Sequence, residues 1–406
     1  MGGRATGGPS SGWSGRLIRV TSGWRNEQVR NVIVVSIVLL LAGCTTTEMG
    51  APEGSARHEP GGQPVKVGAL LPLSGKKAMM GMQQRHALEM ARERLKTEHG
   101  VEIEFVFEDT QSDAEVGEQG ARRLIEKLGV SLVLAFPCDV VYSTQPIADK
   151  AGALLMACNM DPVTAAKSLR TFRVFPNLAQ QNDAILKHLG KGGGERVAVI
   201  YLKAPSPVNA MEQMLPALRG RGWNVVADIA YDKKGRDYEA MVAQVKASRP
   251  AVVIMYVDNE GVPPLLRLLK KEGPLARTKI IGGISLAFPY RLPPQVLEGV
   301  TVAAPSCALS HRREVASSWL GTEFRKRHGK PPHMFAAFCF DSAMVLGHAV
   351  KEKGGRASDV QAYLSGVTNY PGVTGPIAVG KTGDAQVAWG MGVYKSGKLV
   401  PISERK

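Results

Sequence analysis

The sequence lacks the residue patterns of the common metal, cofactor and nucleophile sites. It has five cysteines among 406 residues and no CxxC pair, which argues against a zinc site. The eight histidines are dispersed, with no HExxH motif. The glycines of Gly192-Gly193-Gly194 precede a predicted strand, whereas a phosphate-binding loop follows a strand and opens a helix. We therefore predict no metal, no cofactor and no enzymatic activity.

Long hydrophobic runs are also missing. No internal stretch approaches the roughly 20 apolar residues that cross a membrane as a helix. The strongest apolar run, residues 32–41, lies near the N-terminus, where Arg25 and Arg30 precede it. Leu41-Ala42-Gly43-Cys44 closes this run. Basic residues, a short apolar stretch and small residues in this order are typical of an export signal.

Residues 41–44 resemble the lipobox of bacterial lipoprotein signal peptides. The resemblance implies cleavage before Cys44 and lipidation of that cysteine, and so a protein anchored to the cell-envelope membrane, facing the periplasm in a Gram-negative cell. An ordinary signal peptide with a chance cysteine is the alternative. Residues 45–64 are rich in Thr, Gly, Pro and Glu and lack periodicity, which predicts a flexible tether.

The charge is basic but mixed. The chain has 51 Lys and Arg residues against 36 Asp and Glu residues, a net charge of +15. Removing residues 1–44, which hold five basic and one acidic residue, lowers this to +11. Acids and bases alternate along predicted helices, as at 92–94 and 323–325, so a solvated face explains them better than a nucleic-acid surface. We predict no nucleic-acid partner.

Strand and helix patterns alternate along most of the chain. Short apolar runs predict strands, and stretches with helical spacing separate them. Such alternation predicts an α/β fold with doubly wound parallel sheets, and two series of it predict two lobes. The predicted strands are 65–71, 102–107, 130–135, 153–157, 197–201, 224–229, 251–256 and 279–281. The predicted helices are 78–95, 114–128, 142–151, 184–189, 208–221, 238–247 and 261–271.

The C-terminal part breaks this alternation. Three helices in a row are predicted at 314–327, 335–351 and 360–364, followed by a hairpin of 377–379 and 388–394 that turns at 380–384. One lobe then gains late helices and the other late strands. The chain must therefore cross between the lobes more than once, and a hinge of several crossings suits bending.

Four stretches carry a resemblance to a known family. They are Val67-Gly68-Ala69-Leu70-Leu71-Pro72-Leu73-Ser74-Gly75, Ser143-Thr144-Gln145-Pro146-Ile147-Ala148-Asp149, Phe338-Cys339-Phe340-Asp341-Ser342-Ala343, and Gly372-Val373-Thr374-Gly375-Pro376-Ile377 with Gly383-Asp384. In this order the chain resembles the type I periplasmic solute-binding proteins, in the branched-chain amino-acid-binding (Leu/Ile/Val) group that serves ABC importers. The resemblance spans about residues 65–400.

The resemblance implies the domain organisation and the partners. One lobe is expected at 65–177 plus 308–370 and the other at 178–306 plus 371–406, with crossings near Pro176-Asn177, Pro305-Ser306 and Pro371-Gly372. A monomer is expected that closes on a small-molecule ligand between its lobes and delivers it to the permease of an ABC importer. An envelope sensor or protein-interaction lipoprotein of the same fold, without transport, is the alternative.

The ligand is expected where the strands end, because ligands of open parallel sheets bind beyond the carboxyl ends of the strands. Each nominated residue could instead be a plain helix cap. The nominated residues are Ser74, Gly75 and Met79 after the first strand, Cys138 and Asp139 after the third, Cys158, Asn159 and Asp161 after the fourth, Ser206 across the hinge, Asp258 and Asn259 further on, and Ile284 and Ser285 last.

Three of these positions depart from the family pattern. Cys138 and Asp139 stand where the family often has a serine, Ser206 stands where many members have a Tyr-Gly pair, and Ile284 falls near a common glutamate. Burying an ammonium group without a carboxylate partner is costly. The expected ligand class is therefore broad: a small polar solute that is amino-acid-like, an amide or a carboxylate.

The cysteines suggest one disulfide. With Cys44 lipidated, Cys138, Cys158, Cys307 and Cys339 remain. Cys138 and Cys158 end two successive predicted strands, about 4.8 Å apart if these are neighbours, which suits a Cα separation of about 4.4–6.8 Å. A Cys138–Cys158 bridge is one expectation and two buried thiols the other. A Cys307–Cys339 bridge has weaker support.

Overall fold

The structure is a computed structural model that describes residues 63–402, apart from 272, 276, 289–291 and 310–312. The predicted signal segment 1–44, with Cys44, lies outside the described residues, as does nearly all of the predicted tether 45–64.

The first third of the described chain builds a five-stranded parallel sheet. The strands lie in the order β2-β1-β3-β4-β5. β3 and β4 are buried along their whole length, as expected for parallel strands covered by helices on both faces. The elements are β1 (Val65–Leu71), α1 (Ala78–His99), β2 (Ile103–Asp109), α2 (Ala114–Arg122), β3 (Leu132–Ala135), α3 (Cys138–Ala151), β4 (Leu154–Ala157) and β5 (Thr171–Phe172).

A second, seven-stranded sheet follows. Its order is β15-β14-β10-β9-β8-β6-β7, parallel from β7 to β10 and antiparallel beyond. The elements are α4 (Leu178–Leu189), β6 (Arg196–Leu202), α5 (Pro205–Gly220), β7 (Asn224–Tyr231), α6 (Tyr238–Ser248), β8 (Val252–Tyr256), α7 (Val262–Lys271), β9 (Lys279–Gly282), α8 (Pro294–Leu297), β10 (Thr301–Pro305) and α9 (Ser306–Leu309).

The last part of the chain returns to the first sheet and then adds two strands to the second. A small antiparallel sheet, β11-β12-β13, lies between these two parts in the sequence. The elements are α10 (Arg313–Ser317), α11 (Trp319–His328), α12 (Met334–Lys353), α13 (Ala357–Leu364), β11 (Tyr370–Gly372), β12 (Gly375–Val379), β13 (Ala385–Gln386), β14 (Trp389–Lys395) and β15 (Lys398–Pro401).

Local sequence signals explain where several helices begin and end. Asp113 and Asn177 cap the N-termini of α2 and α4, because their side chains accept hydrogen bonds from backbone N–H groups of the first turn. Gly100 and Gly152 end α1 and α3 in the left-handed conformation, which glycine adopts without steric cost. These signals fix the loops that carry the polar residues at the strand ends.

Each large sheet has apolar clusters on both faces. On one face of the first sheet, α1 and α12 pack over residues such as Leu71, Leu132 and Met156. On the other face lie Leu70, Val133 and Val140, among others. Two further clusters cover the faces of the second sheet. The expected α/β fold of two doubly wound parallel sheets is confirmed.

Helix α12 corrects one expectation from the sequence. Among the described helices, it is long and apolar enough to cross a membrane by length and composition, contrary to our prediction of no such internal stretch. However, 83% of its apolar window is buried in the protein. Its composition therefore reflects a core helix, packed on α1 and the first sheet.

The small sheet moves one predicted boundary. We expected residues 371–406 to join the second lobe. Ile377, Val379 and Ala385 instead belong to the apolar cluster of the first sheet, and the backbone of Arg173 pairs with the loop before β13. Only β14 and β15 join the second sheet. The predicted turn at 380–384 is present between β12 and β13, but 389–395 does not continue that hairpin.

The chain thus passes between the two sheets three times within the described residues. The passages lie between β5 and α4, between α9 and α10, and between β13 and β14. We propose one lobe of about 65–176 plus 313–388 and another of about 177–309 plus 389–402. Met160 and Trp389 pack against clusters of both lobes and join them beside these passages.

Candidate functional site

Polar side chains of the two lobes meet where β4 and β6 end. The Tyr142 hydroxyl, on α3, donates to Asp161 Oδ2 at 2.9 Å and lies 3.0 Å from Ser206 Oγ at the start of α5. Asn209 Nδ2, one turn further along α5, donates to Asp161 Oδ1 at 2.9 Å. Ser206 Oγ is also 3.4 Å from Cys138 Sγ. We call Cys138, Tyr142, Asp161, Ser206 and Asn209 the interlobe network.

The interlobe network is partly buried, with Cys138, Tyr142 and Asn209 half-exposed to solvent. The Asp161 side chain is fully buried and Ser206 is 8% exposed. Burial raises the pKa of the Cys138 thiol and that of the Tyr142 hydroxyl, so both keep their protons at neutral pH. The network therefore has neutral hydrogen-bonding groups around one carboxylate, a setting in which hydrogen bonds are stronger than in water.

Hydrogen bonds from other residues of the first lobe hold the loop after β4 in place. The fully buried Arg173 guanidinium donates to the Asp161 carbonyl oxygen, and at 3.3 Å to that of Asn159. Its Nε lies 2.6 Å from Asp384 Oδ1 in the loop before β13. Asn159 Nδ2 donates to Thr164 Oγ1 at 2.8 Å. Asn159 thus supports the loop, while the Asp161 side chain accepts a hydrogen bond from Asn209 of the other lobe.

The loop after β1 is organised by Asp109. Its Oδ1 accepts from the backbone N–H groups of Leu73, at 2.8 Å, and Ser74, at 3.1 Å. Burial opposes ionisation of this carboxyl, but these hydrogen bonds outweigh it and lower its pKa. Met79 is 72% exposed. Of the nominated residues here, Ser74, Gly75 and Met79 lie on the solvent side of this loop, outside the interlobe network.

A second polar cluster lies at the end of β8. Asp258 accepts from the Tyr231 hydroxyl at 3.1 Å and from Arg236 Nη2 at 3.0 Å. The same Arg236 nitrogen contacts Glu260 at 2.9 Å. The pKa of Glu260 is lowered by this hydrogen bond from Arg236 and further by the charges of Lys233 and of Lys76, which belongs to the first lobe.

The remaining nominated residues lie outside the interlobe network. Asp139 is exposed in the first turn of α3, Asn259 is exposed after β8, and Ser285 is half-buried. Ile284 is buried, and its backbone N–H donates to Gln181 Oε1 at 2.9 Å. The structure thus brings Cys138, Asp161 and Ser206 together and leaves the other nominated residues outside that network.

The structure does not bring the sulfur atoms of the expected disulfide together. Cys138 and Cys158 are not bridged. Cys138 faces Ser206 of the other lobe, whereas Cys158 is buried in the first lobe's core, where its Sγ lies 3.7 Å from that of Cys339. β3 and β4 are neighbours as expected, but the two cysteine side chains point to different surroundings. The weaker expectation, a Cys307–Cys339 bridge, is not formed in the structure either.

Tyr142, Asn209, Arg173 and Arg236 were not nominated from the sequence. Tyr142 stands four residues after Cys138 and Asn209 three after Ser206, so helical spacing places each beside a nominated residue. That signal could have found both. The role of Arg173 depends on residues 159–161 and 384, and no local pattern predicts it.

Aromatic rings also join the lobes. Phe288, after β9, stacks on His333, which caps α12, with ring centroids 5.0 Å apart and planes 7° apart. Phe335 contacts Phe288, Phe175 and Phe136 at centroid distances of 5.0–6.1 Å. Phe136 directly precedes Pro137 and Cys138, so this aromatic cluster lies close to the interlobe network.

Two cavities lie away from the interlobe network. One, of about 320 Å³, is lined by Pro64 and by charged residues of α1 and the start of β2, including Arg92, Lys96 and Glu102. The other, of about 20 Å³, lies at the small sheet beside Val174 and Phe338. It has room for one water molecule.

Comparisons with known proteins agree on one family. The model of the periplasmic binding protein family matches residues 64–398. Leu/Ile/Val-binding protein homolog 7 of Brucella suis is 24% identical over 371 residues, which cover 85% of this chain and 88% of that protein.

Two solved structures have a similar fold. An ABC transporter substrate-binding protein from Desulfitobacterium hafniense in complex with Leu has a TM-score of 0.69 and 17% identity, over 84% of this chain and all of that one. A solute binding protein of an ABC transporter from Rhodopseudomonas palustris, in complex with 3,4-dihydroxy benzoic acid, has a TM-score of 0.67 and 19% identity, over 84% and 96%. With the family match over most of the chain, the chain belongs to the periplasmic binding proteins, in their type I, branched-chain amino-acid group.

Proposed function

We propose that this chain is an extracytoplasmic solute-binding lipoprotein that captures a small polar ligand between its lobes and delivers it to an ABC importer. The observation that carries the proposal is the interlobe network. Asp161 and Tyr142 of one lobe meet Ser206 and Asn209 of the other at the strand ends, where open parallel sheets bind ligands.

The chemistry of the network favours a ligand with both hydrogen-bond donors and acceptors. The Asp161 carboxylate accepts, the Asn209 amide donates and accepts, and the Tyr142 and Ser206 hydroxyls do either. Lys76 and Lys77, which are exposed on the loop after β1, add positive charge to this edge of the first lobe. An amino-acid-like solute, an amide or a carboxylate matches these groups.

The similar proteins are compatible with this ligand class. Leu and 3,4-dihydroxy benzoic acid, the ligands named for the two similar structures, both carry a carboxyl group. Because Ile284 offers no carboxylate near the expected ammonium position, Asp161 is the buried acid best placed to bind a ligand amine.

We propose that the ligand replaces direct contacts between the lobes. The Asn209–Asp161 and Tyr142–Ser206 contacts hold polar groups that would otherwise be buried without partners. A solute that enters with the lobes apart takes over these hydrogen bonds, and the three passages between the lobes bend as the lobes close on it.

A specific observation favours a second candidate. The lobes are joined by the protein's own side chains, as the Asn209–Asp161 hydrogen bond illustrates. A lobe pair that closes on itself suits an envelope sensor or a protein-interaction lipoprotein of the same fold, without transport. Binding and uptake must therefore be tested separately.

Binding is tested by thermal unfolding against amino acids, amides, and aliphatic and aromatic carboxylates. A solute at about 100 times its Kd adds about 2.7 kcal/mol to the free energy of unfolding and so raises the melting temperature by several degrees. Ser206→Phe places a large ring in the network and should abolish the rise. Ser358→Phe, on the exposed face of α13, is the matched control. No rise with any solute contradicts solute binding.

Uptake separates the two candidates. Cells with and without the chain are given the labelled form of a solute that raises the melting temperature. Delivery to an importer predicts faster uptake when the chain is present, and no gain with Ser206→Phe. Equal uptake in all strains, despite binding, supports the sensor.

A further inference from the structure

Two cysteine side chains meet in the core of the first lobe. Cys158 directly follows β4, and Cys339 lies in the second turn of α12. Both are fully buried, and their sulfur atoms are 3.7 Å apart, which is van der Waals contact. They are 181 positions apart in the sequence, so tertiary packing alone brings them together.

The other two described cysteines stand in other elements. Cys138 faces the interlobe network, 3.4 Å from Ser206 Oγ. Cys307 lies in α9 and belongs to the same apolar cluster as Cys158 and Cys339. Cys158 and Cys339 are the pair to consider because their sulfur atoms are already in contact.

We propose that Cys158 and Cys339 form a disulfide in the exported protein. The proposal rests on the export part of the proposed function, because structural disulfides persist in oxidising compartments and not in the cytosol. Bonding requires the two sulfur atoms to approach from contact to about 2.05 Å. Side-chain rotation and a small shift of α12 relative to β4 supply this movement.

The oxidant is a disulfide of a protein or a small molecule. The thiolate of one cysteine attacks a sulfur of this disulfide, which forms a mixed disulfide and releases one thiol after proton uptake. The second cysteine, as its thiolate, then attacks the chain's sulfur in the mixed disulfide and expels the second thiol. Two thiols of the chain lose two electrons and two protons, and the donor disulfide gains both. The exchange precedes full burial, because burial raises the pKa of Cys339 in the folded protein and keeps its thiol protonated.

The bridge would stabilise the ligand-binding edge. Cys158 is followed by Asn159 and, after one more residue, by Asp161 of the interlobe network. A cross-link to α12 ties this loop to the core helix of the lobe. Because the bridge closes a long loop, it also restricts the unfolded chain and raises the resistance to denaturant.

Peptide mapping tests the pairing in two preparations. The first is the full chain exported to the envelope and purified in detergent, and the second is the full chain with Cys44→Ser, reduced and then refolded with oxidised and reduced glutathione. Free thiols are alkylated in denaturant before digestion. We expect one linked pair of peptides, containing Cys158 and Cys339, with Cys138 and Cys307 alkylated.

Alkylation of all four described cysteines in both preparations overturns the proposal, as does any other pairing. A Cys158–Cys339 bridge in the refolded chain alone shows that the two sulfur atoms can bond, but overturns the proposal that they do so in the exported protein. A bridge in the exported chain without any solute binding in the thermal screen supports the disulfide and counts against the proposed function.

Paired variants keep the test informative if one variant does not fold. The double variant Cys138→Ser/Cys307→Ser, in the Cys44→Ser background, should lose both remaining thiols on oxidation, and reductant should lower its urea midpoint. Cys339→Ala in the Cys44→Ser background should keep its remaining thiols on oxidation, and reductant should not change its urea midpoint. Two free thiols in the double variant after oxidation overturn the proposal.

Discussion

At the scale of single residues, two buried titratable groups of α12 have opposite effects on stability. Burial raises the pKa of Asp341 from 3.8 to about 6, against hydrogen bonds from Thr374 and Val373 that lower it. Burial, with the nearby charges of His99 and Lys351, lowers the pKa of His348 from 6.5 to about 4, and Glu352 opposes this shift. Both groups lie on one helix and titrate across the same range of pH.

The signs follow from proton binding in the two states. Between pH 4 and 6.5 the unfolded chain binds a proton at His348 that the folded protein does not, so this residue makes stability rise with pH. Between pH 3.8 and 6 the folded protein keeps a proton on Asp341 that the unfolded chain has lost, so this residue makes stability fall with pH. In the wild type the two effects partly cancel, so they change the free energy of unfolding less with pH together than either would alone.

We predict that His348→Gln exposes the Asp341 effect. From pH 4 to pH 7, the free energy of unfolding of wild type minus that of His348→Gln should rise by about 2 kcal/mol, allowing for the partial exposure of the ring. Asp341→Asn is the matched variant. The free energy of unfolding of wild type minus that of Asp341→Asn should instead fall from pH 4 to pH 7. Urea unfolding at pH 4, 5, 6 and 7 measures both. Two differences that do not vary with pH contradict this account.

Three of the nominated residues lie together in the structure. Cys138 and Asp161 were nominated because they follow strands, and Ser206 because of its place in the family pattern. Hydrogen bonds join all three in the interlobe network, and their contact with a ligand stays a prediction. Asp258 was also nominated because it follows a strand, but it binds Arg236 in a separate cluster. A position after a strand places a residue at the correct edge of a sheet. It does not determine which way the side chain points.

At the scale of elements, the late small sheet is tied to β5 by one buried ion pair. The Arg173 side chain is fully buried, and its partner Asp384 is 15% exposed. Removing one partner of a buried pair leaves an uncompensated charge, which costs about 3–5 kcal/mol.

We predict that Asp384→Ala lowers the free energy of unfolding by about 3 kcal/mol, at the lower end of that range because Asp384 is partly exposed. Asp384→Asn, which keeps an acceptor for Arg173, should cost less. Glu118→Ala removes an exposed partner of Arg122 and should give no measurable change. Equal urea midpoints for Asp384→Ala and Glu118→Ala would show that the ion pair does not hold the small sheet.

The strands and helices of each βα unit could be predicted, because their apolar periods are local. The assignment of 371–388 to a lobe could not. A short apolar strand such as β12 can pack on either core, and the backbone pairing with Arg173 that decides it involves residues about 200 positions apart. The membership of β14 in the second sheet depends in the same way on β10.

At the scale of the whole molecule, the sequence predicted the two-sheet architecture and the family, while the interlobe contacts came only from the structure. Alternating βα units are repeated locally, and their number and order restrict the fold. The distance between lobes depends on side chains that are far apart in the sequence, such as Asp161 and Asn209.

Anchoring is a separate prediction at this scale. If Cys44 is the lipidated residue of the mature chain, Cys44→Ser should abolish incorporation of labelled palmitate and release the protein from membranes. Cys307→Ser, which changes a buried cysteine of α9, should retain the label. Label that persists in Cys44→Ser would favour an ordinary signal peptide with a chance cysteine.

The capture of a solute between the lobes is tested most directly by native mass spectrometry of the exported chain, purified without added solute and then exposed to the solute panel. We predict a mass increase of one small molecule per chain, absent in Ser206→Phe and retained in Ser358→Phe. A chain that shows its bare mass throughout, or an adduct that Ser206→Phe does not remove, would contradict capture at this site.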